Sequence, residues 1–380
     1  MEAHLNTRVL KRTTDLLKRV AHDKSPLASY GVRGNIALRA EGGRLYAEGS
    51  DSEIDIFANL PAHVVREGVV RLPAADLHKA MVACGKAKLA DVRIANGGDA
   101  VTVGPVAMPC KVGEGDVAAP TGLKSYTETR VGFTMPETAL RDMLEGVSAA
   151  ISAEGTRYYL NGVHLHCRDG ALCAVATDGY RLALYNSRLH VEWPEGAYSG
   201  TVIVPAKMVR LLVTAIGKQL AGHASVWITD ARMGVRLSDG TVLGCKLIDG
   251  TFPDYDRVMP RGNPVLVDGE NFLYFNLYDR LKKMGATKTQ RVLLDRDMCE
   301  AYDDGADGLH WNLDGVRWPG PKVAFNAGYL MDIIKSYGPE HAGEITMALP
   351  TTEDGNHVSS LVLITESTGN LIWVLMPQRP

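Results

Sequence analysis

One pattern occurs three times in this chain and limits its possible folds more than any other feature. Val70-Arg71-Leu72-Pro73-Ala74-Ala75-Asp76-Leu77 reads as a short strand running directly into a helix. Val202-Ile203-Val204-Pro205-Ala206-Lys207-Met208-Val209 repeats it, and so does Val323-Ala324-Phe325-Asn326-Ala327-Gly328-Tyr329-Leu330. Proline suits the junction in the first two copies, because the N–H it lacks would be unpaired in a first helical turn. Asn326 takes that place in the third copy, where its side chain can cap the helix. The junctions are 205 − 73 = 132 and 326 − 205 = 121 positions apart. That period exceeds the roughly 20–50 residues of solenoid repeats, so each copy belongs to a whole domain with its own core.

Each copy is preceded by its own helix, predicted over residues 5–21, 136–151 and about 271–284. In the first of these, Val9, Leu10, Leu16, Leu17 and Val20 follow helical spacing. Strands are predicted over 35–38, 43–48 and 53–60, and again over 91–112, 224–248 and 344–376. Pro/Gly-rich stretches at 118–122 and 259–263 mark the boundaries, which gives domains of residues 1–122, 123–260 and 261–380. Within each domain the order strand, helix, strands occurs twice, an α+β pattern with helices on one side of antiparallel sheet. The segment 290–321, with DDGADG and RWPGP, matches no strand pattern.

Composition excludes several classes. No apolar run approaches the ~20 residues that span a bilayer, and MEAHLNTRVLKRTTD has no signal-peptide core, so a cytoplasmic protein without a membrane partner is expected. The six cysteines are scattered without a CxxC pair, which fits thiols in a reducing compartment. Net charge is −3, so any surface that meets nucleic acid must be segregated from the rest. The cations do segregate onto predicted helices: Arg8, Lys11, Arg12, Lys18 and Arg19 on the first, with Lys24 beyond it. Lys79, Lys86 and Lys88 accompany the second, Lys207, Arg210 and Lys218 the fourth, and Arg280, Lys282, Lys283 and Lys288 the fifth. One such helix is what any solvated face looks like; four of them in an acidic chain imply a positive surface on one side, suited to phosphates.

The stretch RYYLNGVHLHCRDGALCAVATDGYRLAL, residues 157–184, reads as a hairpin followed by a turn at Thr177-Asp178-Gly179. It resembles the central domain of the bacterial DNA polymerase III β subunit, the sliding clamp, in its RYYLNG-like loop and ATDGHRLA-like turn. Ile203-Val204-Pro205-Ala206 and the run from Lys246 to Tyr255, KLIDGTFPDY, continue the resemblance in order. It covers essentially the whole chain and implies three similar domains per chain. It further implies a homodimer joined head to tail into a ring, with two helices per domain lining the hole and sheets outside. The joining edges are expected near residues 106–110 and 281–284. A clamp of this kind needs no cofactor; its partners are double-stranded DNA, the polymerase III α subunit and other polymerases, and an ATP-using clamp loader.

By the same resemblance Arg157, Tyr158 and Tyr159 lie at the rim of the hole and touch DNA. A cleft between the second and third domains is expected to receive short peptides with a glutamine and a hydrophobic cluster. Its residues from the hairpin are Leu160, Thr177, Gly179, Tyr180, Arg181 and Leu182. Pro253, Arg257 and Val258 come from FPDYDRV, and Val358 and Ser360 from the segment after the last helix. The terminal stretch adds Val374, Leu375, Met376, Pro377, Gln378 and Arg379. Tyr180 stands where the family often has His, and the ending MPQRP replaces an MPMRL-like one; both bear on peptide preference.

Other chemistries find little support. His164, His166, Cys167 and Cys173 lie close in sequence, but strand alternation puts Cys167 on the face opposite the histidines, and the spacing is not that of a zinc knuckle. Thr177-Asp178-Gly179 is not the Asp-Thr-Gly of aspartic proteases, and GxSxG, P-loop and GxGxxG patterns are absent. The expected protein is a non-catalytic DNA sliding clamp that gives a replicative polymerase processivity. The alternatives are an accessory clamp of a phage, plasmid or resistance locus, or an α+β enzyme on the clamp scaffold using Asp178, Asp254 or the His/Cys hairpin.

Overall fold

The computed structural model describes residues 1–21, 35–86, 91–112, 129–191, 202–217, 222–259, 263–266, 277–283, 285, 290–295, 300–303, 310–312, 322–337, 346–351, 362–365 and 369–378. Expectations for Lys24, Lys88, Lys218, Lys288, Val358, Ser360 and Arg379 lie outside these residues. Six α-helices occur among them: α1 (Thr7–Val20), α2 (Ala74–Lys86), α3 (Glu137–Ser148), α4 (Ala206–Ile216), α5 (Asp279–Lys283) and α6 (Ala327–Tyr337). The three strand–helix junctions fold as the sequence implies, with Gly68–Pro73 entering α2, Val202–Pro205 entering α4 and Val323–Asn326 entering α6. Asn326 caps the third, its Oδ1 accepting the Tyr329 N–H at 3.0 Å.

The chain divides into two compact units. The first takes in the described residues of 1–141 and 207–248, which form two antiparallel sheets. One is five-stranded, in the order His63–Arg66, Glu2–Asn6, Asp91–Gly97, Ala100–Val103, Val106–Pro109. The other is nine-stranded; in it Ile54–Pro61 pairs with Val242–Lys246 through Phe57↔Val242 and Ile56↔Leu243. In the second unit, residues 142–191, 200–206 and 249–380, the described residues form an eight-stranded and a four-stranded sheet. In the eight-stranded sheet Arg181–His190 pairs with Leu371–Leu375, with Leu182 opposite Val374 and Ala183 opposite Trp373. Grouping therefore follows main-chain hydrogen bonding, which joins strands far apart in sequence.

Helix α1 shows how the local pattern is read. Asn6 caps it, its Oδ1 accepting the N–H groups of Arg8 and Val9, and Glu2–Asn6 is a strand, so the helix starts two residues later than expected. Its buried stripe is Leu10, Thr13, Thr14, Leu16, Leu17 and Val20. Thr14 is tolerated there because its hydroxyl donates to the Leu10 carbonyl at 2.7 Å. Val9, in the first turn, is 39% exposed and is not a core residue. Three strands lie within 290–321 where none was expected: Gln290–Leu294, Glu300–Asp303 and His310–Asn312. The first alternates strictly, but a buried glutamine, Gln290, occupies one core position and hides the pattern.

Gly162 opens the strand Gly162–Arg168 against Val202–Pro205, where a β-carbon would lie 2.3 Å from the Val204 carbonyl oxygen and 2.9 Å from Ile203 Cγ2. Backbone inside a sheet cannot retreat. Gly162→Ala is therefore expected to lower stability by about 1–3 kcal/mol, read as a lower midpoint in chemical denaturation. An unchanged midpoint would show that the two strands do not approach so closely.

Candidate functional site

The central hairpin ends in a turn that is locked from inside. Asp178 Oδ1 accepts the N–H groups of Tyr180 and Arg181, each at 3.0 Å. The Thr177 hydroxyl donates to the Arg181 carbonyl at 2.7 Å and accepts the Gly179 N–H at 3.1 Å. Gly179 has φ +89°, and a β-carbon on it would lie 2.6 Å from Arg157 Nη1. Only glycine serves both the left-handed backbone and the guanidinium lying over it.

Arg181 follows the turn, and all three nitrogens of its guanidinium are engaged. Its side chain is 2% exposed. Nε binds Asp178 Oδ2 at 3.1 Å, Nη1 binds Asp332 Oδ2 of α6 at 3.0 Å, and Nη2 donates to the Ala149 carbonyl just past α3. The guanidinium carbon also lies 4.4 Å from the centroid of the Tyr329 ring and 6.0 Å from that of Trp373. A buried cation is tolerated only when it is paired and hydrogen-bonded, and this one is both.

Around this turn, within the second unit, lies a cavity of about 240 Å³. The hairpin supplies Leu160, Thr177, Gly179, Tyr180, Arg181 and Leu182; Pro253 and Val258 come from the 252–258 loop, Val374 and Met376 from the terminal strand and its end. All ten were expected from the sequence. Arg157 and Tyr159, expected at a DNA rim, also line it, as do Asp254, expected only as a catalytic group of the alternative enzyme, and Tyr255, which was not among the expected cleft residues. The signal for these four was adjacency: the turn Tyr158–Leu160 carries Tyr159 beside Leu160, and Asp254 and Tyr255 lie between Pro253 and Val258. Arg257 does not line the cavity; its side chain is 83% exposed and pairs with Asp254 at 3.0 Å. Leu375 is fully buried and absent from the wall, as strand alternation after Val374 requires. Pro377 and Gln378 are also absent from it, and the Gln378 N–H donates to the Ala324 carbonyl at 2.7 Å.

A column of rings supports the 252–258 loop. Phe252 stacks on His164 at 4.8 Å and 8°, His164 on His166 at 4.9 Å and 26°, and His166 meets Tyr255 at 5.6 Å. The Tyr255 hydroxyl and His166 Nε2 are 2.9 Å apart. Burial, with His166 beside it, pushes His164 down to about 3, and burial lowers His166 too. Burial pushes the Tyr255 hydroxyl up to about 12. The histidines thus serve as neutral packing groups. Among the described residues no cluster of three or more His, Cys, Asp or Glu is placed to hold a metal, and no helix is long and apolar enough to cross a membrane.

The basic residues divide by environment. In the first unit Arg8, Lys11, Lys18 and Arg19 are exposed on one side of α1, and Lys79, Lys86 and Arg210 are exposed on α2 and α4. Arg12 is engaged, bound to Asp239 at 3.1 Å and to the Ala215 carbonyl in the last turn of α4, where a cation suits the helix dipole. Lys207 pairs with Asp51, which is buried and also caps Glu53 and Ile54. In the second unit Lys282 and Lys283 are exposed, Lys283 bound to Asp279 at 2.7 Å, and Arg157 pairs with Glu154 at 2.7 Å. Tyr158 is exposed and meets Tyr159 edge to face at 5.9 Å. Exposed ion pairs such as those of Lys79 and Lys283 are weak and leave the cation available to another anion.

Comparison with known proteins agrees with this architecture. The family described as the DNA polymerase III β subunit, central domain, matches residues 134–254. A β sliding clamp of Caulobacter vibrioides is 30% identical over 393 residues, covering 96% of this chain and 97% of that protein. One from Pseudomonas aeruginosa is 26% identical over 361 residues, covering 92% of each. The crystal structure of the C. crescentus β sliding clamp superposes with a TM-score of 0.77 at 25% identity, covering 100% of this chain and 99% of that one. The α+β fold with its antiparallel sheets is that of a clamp. The chain belongs to the β sliding clamp family of DNA polymerase III β subunits.

The histidine column fixes a pH dependence. A histidine whose folded pKa is depressed stays neutral in the native state, while the unfolded chain takes up a proton below about pH 6.5. Stability is then complete above that pH and falls as pH drops toward the folded value of about 3. Between pH 7 and pH 5 His164 alone is expected to remove about 2 kcal/mol. Denaturant midpoints at the two pH values, for wild type and His164→Phe, test this. The drop should shrink in the variant, and an equal drop would exclude His164 as its source.

Proposed function

We propose that this chain is a DNA sliding clamp: two copies closed head to tail into a ring that encircles duplex DNA and holds a replicative polymerase to it. In this reading the threefold repeat corresponds to domains 1–122, 123–260 and 261–380. The protein is a cytoplasmic scaffold without a cofactor; ATP is used by the loader that opens the ring.

One feature of the sheets carries the assembly. The nine- and eight-stranded sheets each form by pairing strands from distant parts of the chain. Among the described residues the five-stranded sheet instead has Val106–Pro109 as an outer strand and the four-stranded one His310–Asn312; the other outer strand of the latter, Val323–Asn326, already accepts the Gln378 N–H at Ala324. Joining a five-stranded sheet of one copy to a four-stranded sheet of the next would complete a third large sheet and cover edges that are hazardous when open. A head-to-tail contact makes a ring only when its rotation closes, and doing so with two copies satisfies both edges.

The exposed cations of α1, α2, α4 and α5 would face the phosphates, with Arg157, Tyr158 and Tyr159 at the rim. Contacts to phosphate alone carry no sequence information, which suits a protein that must slide. The cavity beside Arg181 is read as the docking site for short peptides of the polymerase III α subunit, other polymerases and the clamp loader. Its apolar wall would take the hydrophobic cluster of such a peptide.

Encirclement separates this reading from ordinary DNA binding. Loaded by a clamp loader with ATP onto a nicked circular plasmid, the protein should stay bound through a high-salt wash and leave when the plasmid is cut. On short linear duplex, binding should be weak and fade as salt rises, since counterion release drives it. Equal retention on linear and circular DNA would contradict the proposal.

A further inference from the structure

We propose that His78 is a proton-operated contact for a DNA phosphate, which makes the first unit hold duplex more tightly as pH falls. This rests on reading α1 and α2 as helices that face DNA. Both lie in the first unit and pack against each other. Asp15 and Lys18 are three residues apart and so share one face of α1. His78 of α2 is set between them, its Nδ1 3.3 Å from Lys18 Nζ and its Nε2 3.4 Å from Asp15 Oδ1. The His78 side chain is 27% exposed, so a ligand can reach it from solvent.

The proton positions follow from the donors. An ammonium has hydrogens to give and no lone pair, so Nδ1 accepts from Lys18 and the proton of the neutral ring lies on Nε2, toward Asp15. In that state the three side chains sum to zero charge: one cation, one anion and a neutral ring. Histidine is the side chain that changes charge between about pH 5 and 8. Once the ring takes up a proton, Nδ1 becomes a donor and no longer accepts from Lys18. Two positive groups then face each other across the 3.3 Å gap, and a phosphate oxygen placed between them accepts from both. Asp15 keeps its hold on the Nε2 side. The cluster now carries one net positive charge.

The neighbouring charges agree in sign. Lys11 and Arg19 are exposed on α1, and Lys79 on α2, where it pairs with Asp76 at 3.0 Å. Arg12 is bound to Asp239. The strands packed against α2, Gly68–Pro73, Ala100–Val103 and Val106–Pro109, contain one charged residue, Arg71. Strand alternation puts Arg71 on the face opposite buried Val70 and Leu72, where it acts on Glu48. Among the described residues Asp15 is therefore the one carboxylate set against the ring. A phosphate among these cations favours a further positive charge on the imidazole, so DNA binding and proton uptake strengthen each other by the same factor. A unit charge added about 4 Å from a phosphate in water is worth roughly fivefold in affinity.

Fluorescence anisotropy of a labelled short linear duplex at low salt, at about pH 8 and about pH 6, tests this on the whole chain. The variants are His78→Gln and Lys79→Gln, with thermal melts at both pH values to show that each is folded. Wild type should bind about three- to tenfold tighter at the lower pH. Its slope of log affinity against log salt should steepen there by about 1, the mark of one more phosphate contact. In His78→Gln the gain between the two pH values should shrink to less than about twofold. Lys79→Gln should weaken binding at both pH values and keep the gain, because it removes a charge that does not titrate in this range. An equal gain in His78→Gln, or a wild-type affinity that does not rise at the lower pH, would overturn the inference and leave the DNA reading standing. Failure of wild type to bind the duplex at either pH would overturn both.

Discussion

The second unit depends on one buried cation. Arg181 joins the hairpin turn at Asp178, the end of α3 at Ala149, and α6 at Asp332 and Tyr329. Its own strand is hydrogen-bonded to the terminal strand Leu371–Leu375, so the residue stands where several parts of the unit meet. Removing one partner from such a buried pair typically costs about 3–5 kcal/mol, because a charge is left without compensation. The cleft is a consequence of this anchoring. Thr177, Gly179, Tyr180 and Leu182 take their positions from a turn that Arg181 and Asp178 hold, and Met376 is hydrogen-bonded to that turn through Tyr180.

A second constraint is that the large sheets ignore the sequence repeat. Ile54–Pro61 pairs with a strand about 185 residues away, and Arg181–His190 with one about as distant. Such pairing lets the chain build extended sheets without long loops spanning them. Among the described residues it leaves Val106–Pro109 and His310–Asn312 as outer strands of the two smaller sheets, and these give the proposed ring its joints. Charge is apportioned in the same economical way. The chain is acidic overall, yet α1 keeps four cations exposed on one side while Arg12 and Lys207 are drawn into structural ion pairs.

Much of this was legible in the sequence, for definite reasons. The strand–helix junctions were visible because Pro73, Pro205 and Asn326 mark helix starts, and ten residues of the cavity wall because they sit within two short, distinctive stretches and at the chain's end. Other features were hidden where side-chain type misleads. Val9 looks like core and is exposed; Gln290 looks like surface and is buried. Arg157 and Tyr159 read as DNA contacts, but a single 3-10 turn also brings them to the cleft wall. Arg181 read as a cation beside an apolar pocket. Its burial depends on Asp332, Ala149 and Tyr329, residues no local pattern connects to it. Long-range ion pairs are the part of a fold that sequence periodicity does not carry.

Two copies of the chain are proposed to close into a ring through outer strands of their smaller sheets. Sedimentation of the purified protein at micromolar concentration, with low-resolution images of the same sample, tests it directly. The proposed ring requires a single species of twice 41.1 kDa that appears as a ring with a hole wide enough for duplex DNA. A compact monomer of 41.1 kDa under those conditions would contradict it.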